Sequence, residues 1–354
     1  MKSHIPNRSP LSEIVAKAAD GVGSLPRPLQ VTLNVTGRCN SRCQYCAYGD
    51  PDTMKRTDIS YEHLAKQIEQ LAGLGVRALT LSGGEPMLRQ DLSDIIRFAA
   101  DCGLNVTLIT NASLLNIAAA QQLHAAGLSA LVLSFDSLED ELYRQIRGIA
   151  VNKPKYAFEQ LQAFRRQTVC IPIVVVNIVL TRPIADRLLA HLDRLVPLML
   201  PQDRIMVQAY QPPPGLSLAN DPLRFTASDR ERLESLLEAL IAAQSQGLPL
   251  GNDAQFLRRL PGFLAEGELP EGFRCTIGYS SLYVKENFNV HPCWQLPPIG
   301  NLNDISIDRL WNSPAYAAAR ERMKALDCRK CALVCHSPEF LDMQSERLDH
   351  DPLP

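Results

Sequence analysis

Cys39-Asn-Ser-Arg-Cys43-Gln-Tyr-Cys46 lies just after Leu29-Gln-Val-Thr-Leu-Asn-Val-Thr36, with only Gly37 and Arg38 between them. The second stretch alternates its side chains and is rich in β-branched residues, so it reads as a strand. The cysteines then lie on a loop leaving that strand's C-terminal end. Three thiolates gathered by one tight loop suit a soft metal centre, whereas carboxylates or a lone histidine do not. A 4Fe–4S cluster normally takes four cysteine thiolates. Only three are local, and the next cysteine, Cys102, falls far along a predicted helix. One iron would stay open to an outside ligand, which marks a reactive site rather than a purely structural one.

The CxxxCxxC pattern, with Tyr45 before its last cysteine, resembles the signature of the radical S-adenosylmethionine (SAM) enzymes. The resemblance implies that Cys39, Cys43 and Cys46 hold a 4Fe–4S cluster whose open iron chelates SAM. It also implies reductive cleavage of SAM to methionine and a 5′-deoxyadenosyl radical, which takes a hydrogen atom from substrate. The electron would come from a donor such as flavodoxin or ferredoxin.

The 354 residues suffice for one large domain and a smaller one. With 46% apolar residues, 21% charged residues and a net charge of −2, the composition is that of an ordinary globular chain. It offers no bulk electrostatic reason to bind nucleic acid or an anionic membrane. No apolar run reaches the about 18 residues of a membrane span, and the polar start Met1-Lys-Ser-His lacks a secretion signal's apolar core. A cytoplasmic protein is expected. Ten cysteines in such a chain point to metal rather than disulfides, and eight of them fall into two sets.

Residues 1–28, with Pro6, Pro10, Pro26 and Pro28, read as an arm. From 29 to 211 strands alternate with helices. The strands are expected at Leu29–Thr36, Ala78–Leu81, Asn105–Ile109, Ala130–Phe135, Ile171–Leu180 and Arg204–Ala209. The helices are expected at Tyr61–Leu74, Leu92–Cys102, Leu114–Ala126, Ala157–Gln167 and Ile184–Leu198. Such alternation means a parallel α/β sheet with reactive groups on loops at the strands' C-terminal ends. Pattern alone leaves a closed barrel and a doubly wound sheet both open. The resemblance implies a partial (β/α)6 TIM-type barrel. The fifth strand is apolar except for Asn177, which predicts a sheet buried on both faces.

Three strand ends carry candidate residues. Ser82-Gly83-Gly84-Glu85 supplies glycines for close backbone approach and a carboxylate beside them; it resembles the family's GGE motif, which holds the SAM amino group. Thr110-Asn111-Ala112 reads as an Asx turn or cap, and Ala112 departs from the Thr-Asn-Gly of related sequences. Ser134-Phe135-Asp136 offers hydroxyl and carboxylate groups for the ribose and carboxylate region of SAM. Arg147 could pair with that carboxylate, or could simply be solvent-exposed.

Gln211-Pro-Pro-Pro-Gly215 ends the alternation, and residues 212–270 read as a helical linker with helices at Ser228–Gln246 and Ala254–Glu266. Cys275 then precedes a strand at Ile277–Val284, a turn at 285–288, and Asn289-Val-His-Pro-Cys293-Trp. That hairpin would bring Cys275 and Cys293 to one end. A helix from about Ser306 to Leu326 leads into Cys328-Arg-Lys-Cys331-Ala-Leu-Val-Cys335. Four thiolates suit zinc and an iron–sulfur cluster equally well. The layout of 271–336 resembles the Twitch/SPASM extension of radical SAM enzymes, a small α+β domain, and implies one auxiliary 4Fe–4S cluster. Cys275, Cys293, Cys328 and Cys331 are the preferred ligands, with Cys335 competing. Residues 337–354 read as a tail.

An auxiliary cluster could take the electron from a substrate radical, which would make the net reaction an oxidation. With a single auxiliary cluster and no leader-peptide module, the expectation favours a small polar metabolite such as a sugar or aminocyclitol. A peptide or protein substrate, as in sulfatase-maturing enzymes, is the alternative. A zinc-binding adaptor is the rival from another class. Tyr210, Gln211 and Asn252 are candidates for facing substrate, and His291 for a hydrogen bond near the auxiliary site.

Overall fold

The computed structural model describes residues 27–168, 173–212, 221–269, 271, 273, 275–328 and 331–332. Most of the N-terminal arm, Cys170, Cys335 and the tail lie outside the described residues.

The six expected strands form: β1 (Gln30–Thr36), β2 (Ala78–Gly83), β3 (Asn105–Thr110), β4 (Leu128–Ser134), β5 (Ile173–Leu180) and β6 (Arg204–Ala209). They pair in parallel, each with the next. Helices α1 (Tyr61–Leu74), α2 (Leu92–Asp101), α3 (Ile117–Ala125), α4 (Asp140–Arg147), α5 (Asn152–Arg165), α6 (Arg182–Ala185) and α7 (Leu188–Leu195) run between them. The expected third helix starts later because Asn116 caps it, accepting the Ala119 N–H at 2.9 Å. The expected helix over 184–198 is two short helices and a 3-10 turn containing Pro197. The short, charged α4 was not expected at all.

The sheet does not stop at six strands. After α8 (Arg230–Ser245), α9 (Ala254–Glu266) and the one-turn α10 (Ile277–Ser280), β7 (Ser281–Val284) pairs in parallel with β1. Then β8 (Asn289–His291) and β9 (Gly300–Asn301) add on in antiparallel fashion. The order is β6-β5-β4-β3-β2-β1-β7-β8-β9, an open nine-stranded sheet. The C-terminal hairpin therefore continues the sheet of the barrel. Its first strand is shorter than expected, since 277–280 coil into α10. The long helix expected next is α11 (Ile307–Trp311) and α12 (Pro314–Lys324), restarted where Ser313 caps and Pro314 takes the first helical position.

One face of the sheet is sealed: Val31, Leu33, Leu79, Leu81, Val106, Leu108, Val174 and Val176 are fully buried in one core with Leu64, Ile68 and Ile96 of the outer helices. The other, concave face is part-exposed, carrying Thr32, Thr80, Ser82, Thr107, Val132, Ser134, Val175, Asn177 and Tyr283. Burial along β5 alternates strictly, so the expectation of a sheet buried on both faces is corrected. No helix among the described residues is long and apolar enough to cross a membrane.

Candidate active site

The cysteine loop is tied down from both sides. Arg42 and Gln44 donate their N–H groups to the carbonyls of Arg147 and Ile146, both at 2.9 Å. These belong to the last turn of α4, where carbonyls lack partners inside the helix. Gly148 closes α4 at φ 66, and a Cβ there would stand 2.7 Å from the Arg42 Cβ. No larger residue fits without moving the loop. The N–H groups of Ser41 and Tyr48 donate to the sulfurs of Cys39 and Cys46, both at 3.4 Å. Burial pushes the Cys39 thiol up to about 11 and the Cys43 thiol up to about 12, so both are neutral until a metal displaces the proton.

The glycine loop packs on the same segment. Gly84 and Glu85 donate their N–H groups to Thr36 and Arg38 carbonyls, and a Cβ on Gly84 would lie 2.0 Å from the Arg38 oxygen. Glu85 is buried and accepts three bonds: Thr110 Oγ1 at 2.6 Å, Met87 N–H at 3.0 Å and Asn111 N–H at 2.8 Å. Burial still holds its pKa above the ordinary carboxylate value. Asn111 Nδ2 donates onward to Asn40 Oδ1 and Ser41 Oγ, both at 2.9 Å. The ends of β2 and β3 are thereby knotted to the cysteine loop.

A third tie comes from β4. Asp136, 1% exposed, accepts from Arg147 Nε and Tyr45 OH on one oxygen, both at 2.7 Å, and from Val179 N–H on the other at 2.9 Å. Arg147 is 4% exposed and lies over the Tyr45 and Tyr143 rings at 5.6 and 5.8 Å, which sets aside the solvent-exposed reading. Among the described residues its hydrogen bonding uses Nε alone. Ser82 and Ser134 sit part-exposed on the concave face nearby.

Sequence reasoning missed a fourth cluster, where barrel and hairpin meet. Asn34 on β1 donates to Tyr48 OH and Tyr283 OH, both at 2.7 Å, and Tyr48 OH donates to Glu286 at 2.6 Å. Arg56 completes the group, 3.4 Å from Glu286. The polar Asn34 inside an otherwise apolar strand core was the available signal.

In the C-terminal set, Cys275, Cys293 and Cys328 pack together with Ile277, Leu296, Met323 and Leu326. Cys293 accepts the N–H groups of Gln295 and Leu296, and Cys275 that of Ile277. Cys331 is half-buried, and Cys335 lies outside the described residues. His291 Nδ1 meets the Leu296 carbonyl at 2.8 Å, which makes Nδ1 the protonated nitrogen. Two substrate candidates have other duties: Tyr210 OH donates to Asp221, and Asn252 pairs with the Val207 backbone on the outer edge of β6, beside the bridge between Ile205 and Leu250.

The Radical SAM superfamily model matches residues 33–195, and the SPASM iron-sulfur cluster-binding domain model matches residues 275–332. The chain belongs to the radical SAM superfamily and carries a SPASM domain. PqqA peptide cyclase of Bradyrhizobium diazoefficiens is 36% identical over 34% of this chain and 32% of its own length. GTP 3′,8-cyclase of Limosilactobacillus fermentum is 32% identical over 42% of this chain and 46% of its own. The chain thus spans less than half the length of these curated relatives. In fold it resembles Streptococcus suis SuiB bound to S-adenosylmethionine, with a TM-score of 0.66 and 18% identity over 88% of this chain and 73% of that one.

As a radical SAM protein with a SPASM domain, the chain uses 4Fe–4S clusters and SAM, and the residues present fit that chemistry. Three thiols with N–H donors on two of the sulfurs match a cluster that leaves one iron free. Cys102 ends α2, which runs back from the C-terminal end of β2, so it lies at the opposite end of the barrel. The SPASM match decides the zinc question at the second set in favour of iron and sulfur. When bound, the first cluster and SAM supply the 5′-deoxyadenosyl radical.

Proposed function

We propose that this radical SAM protein modifies a peptide, abstracting a hydrogen atom from one residue and leaving the peptide oxidised. The observation that carries this reading is the concave face. It continues without interruption from the barrel into the SPASM hairpin, and its wall over β7, β1, β2 and β3 displays Tyr283, Thr32, Thr80, Ser82 and Thr107, none of them charged. A nucleotide triphosphate calls for Arg or Lys donors, and that wall supplies none. An extended, uncharged chain suits it better. The similarity to PqqA peptide cyclase supports the same reading, and the expectation of a small polar metabolite gives way to its alternative.

Cys39, Cys43 and Cys46 would ligate the first cluster. The Glu85 carboxylate accepts two bonds on Oε1 and only one, from the Asn111 N–H, on Oε2, so that oxygen and the backbone of its loop would meet the SAM ammonium. Asn111, Ser134, Asp136 and Arg147 would border the ribose and carboxylate, with the Arg147 Nη nitrogens left for an anion. Cys275, Cys293, Cys328 and Cys331 would hold the auxiliary cluster, with Cys335 as competitor.

The test is anaerobic reconstitution with SAM and dithionite, or flavodoxin or ferredoxin, plus synthetic peptides matching short reading frames beside the gene. The expected outcome is about eight irons per chain, 5′-deoxyadenosine, and a peptide lighter by two hydrogens. Cys43→Ala should abolish the nucleoside. Nucleoside release with every peptide unchanged, alongside turnover of a sugar or nucleotide, overturns the reading.

A further inference from the structure

On the concave wall a row of hydroxyls stands in register across three parallel strands. Thr32 on β1 faces Thr80 on β2, and Thr80 faces Thr107 on β3. Tyr283 on β7 extends the row on the other side of Thr32, and Asn34 and Ser82 form the next rung. All but Asn34 are part-exposed. Among the described residues, the hydroxyls of Thr32, Thr80, Ser82 and Thr107 neither donate to nor accept from any other protein group. Asn34, 0% exposed, keeps its Oδ1 without a partner while its Nδ2 is held by the two tyrosines.

Of these groups only the Asn34 Oδ1 is sealed from solvent without a partner, which calls for an explanation; the hydroxyls stand open to water and to a ligand that displaces it. Threonine alternates here with Val and Leu, so patterning alone would have accepted Val on this face, as it does at Val132 and Val175 on the opposite wall. The β4–β5 wall mixes Val132 and Val175 with Ser134 and Asn177.

We infer that the Thr32–Thr80–Thr107 row, with Asn34 at its flank, is the seat of the substrate's peptide backbone. The inference rests on the peptide reading above and deepens it. Hydroxyls both donate and accept, so they can meet the N–H and C=O groups of an extended chain whatever its side chains. The row spans about 10 Å at strand spacing, the length of about three extended residues.

The experiment selects an mRNA-displayed library of random linear peptides on the reconstituted full chain loaded with SAM. Affinities of the enriched peptides are then measured for the wild type, for Thr32→Val/Thr80→Val/Thr107→Val, and for the matching triple Ser variant. Valine fills the same volume without the hydroxyl, and serine keeps the hydroxyl. The inference expects the Val variant to bind about 10-fold or more weakly and the Ser variant to stay close to wild type, with iron content and melting temperature reporting an intact fold in each. Equal affinity of the Val variant overturns the hydroxyl row while leaving the peptide reading standing. A library that enriches nothing on the wild type overturns both.

Discussion

Ala112 adopts φ 59, a left-handed conformation that costs a side-chain-bearing residue about 1–2 kcal/mol. The sequence marked the site only through the family resemblance, which implies glycine there. Ala112→Gly should raise stability by about 0.5–1 kcal/mol after glycine's greater unfolded-state entropy is subtracted, read as a higher urea midpoint at unchanged slope. His191 shows a second residue-scale effect. Its Nδ1 accepts the Leu138 N–H at 3.1 Å, its Nε2 is buried without a partner, and burial pulls its pKa from 6.5 down to about 4. The unfolded chain takes up that proton near pH 6.5 and the folded chain only near pH 4. Its stabilising share is therefore full above pH 6.5 and fades by about 3 kcal/mol as the pH falls toward 4. Urea titrations across that window should show the sag, and His191→Asn should flatten it. Nothing in the sequence disclosed this histidine, whose burial depends on the packing of Phe135 against its ring.

Elements were readable where composition and period agree, as in β1, β2 and α1. They were not where one of the two fails. β5 is apolar at all but one position, so its letters cannot say which face meets solvent. α4 sets Leu142, Tyr143 and Ile146 on one face, but eight residues hold only that one repeat. Its last carbonyls nevertheless hold the cysteine loop. Gly148, just past its end, was the one stop signal. The outer edge of β6 is covered partly by the 249–251 backbone, which pairs with Ile205, and partly by a side chain. Asn252 accepts the Val207 N–H at 2.7 Å and donates to the Val207 carbonyl at 2.9 Å, standing in for a strand. Asn252→Ala should leave two buried backbone groups unpaired, at a cost of about 2–3 kcal/mol, and should raise the fraction of aggregate in light scattering. A variant as stable and monodisperse as wild type would show that the edge needs no such cover.

At the scale of the molecule, the class of fold and both cysteine sets were legible from the sequence, because ligand spacing is local. The joining of β7 to β1 was not, since Gln30 and Ser281 meet across 251 residues. Removing residues 271–354 should therefore strip β1 of one neighbour and expose its backbone edge. We expect such a fragment to collect in the insoluble fraction, or to lose cooperative unfolding by circular dichroism. A soluble, cooperatively melting fragment would make the hairpin an accessory.

The same pairing sets a clock during synthesis. A ribosome adding about 5–20 residues per second needs about 12–50 s to reach Ser281 after Gln30 has emerged. Throughout that interval the first three thiols hang from a strand with one flank bare. The segments that tie the cysteine loop itself, up to Arg147, emerge early in that interval; what arrives last is the second flank of β1.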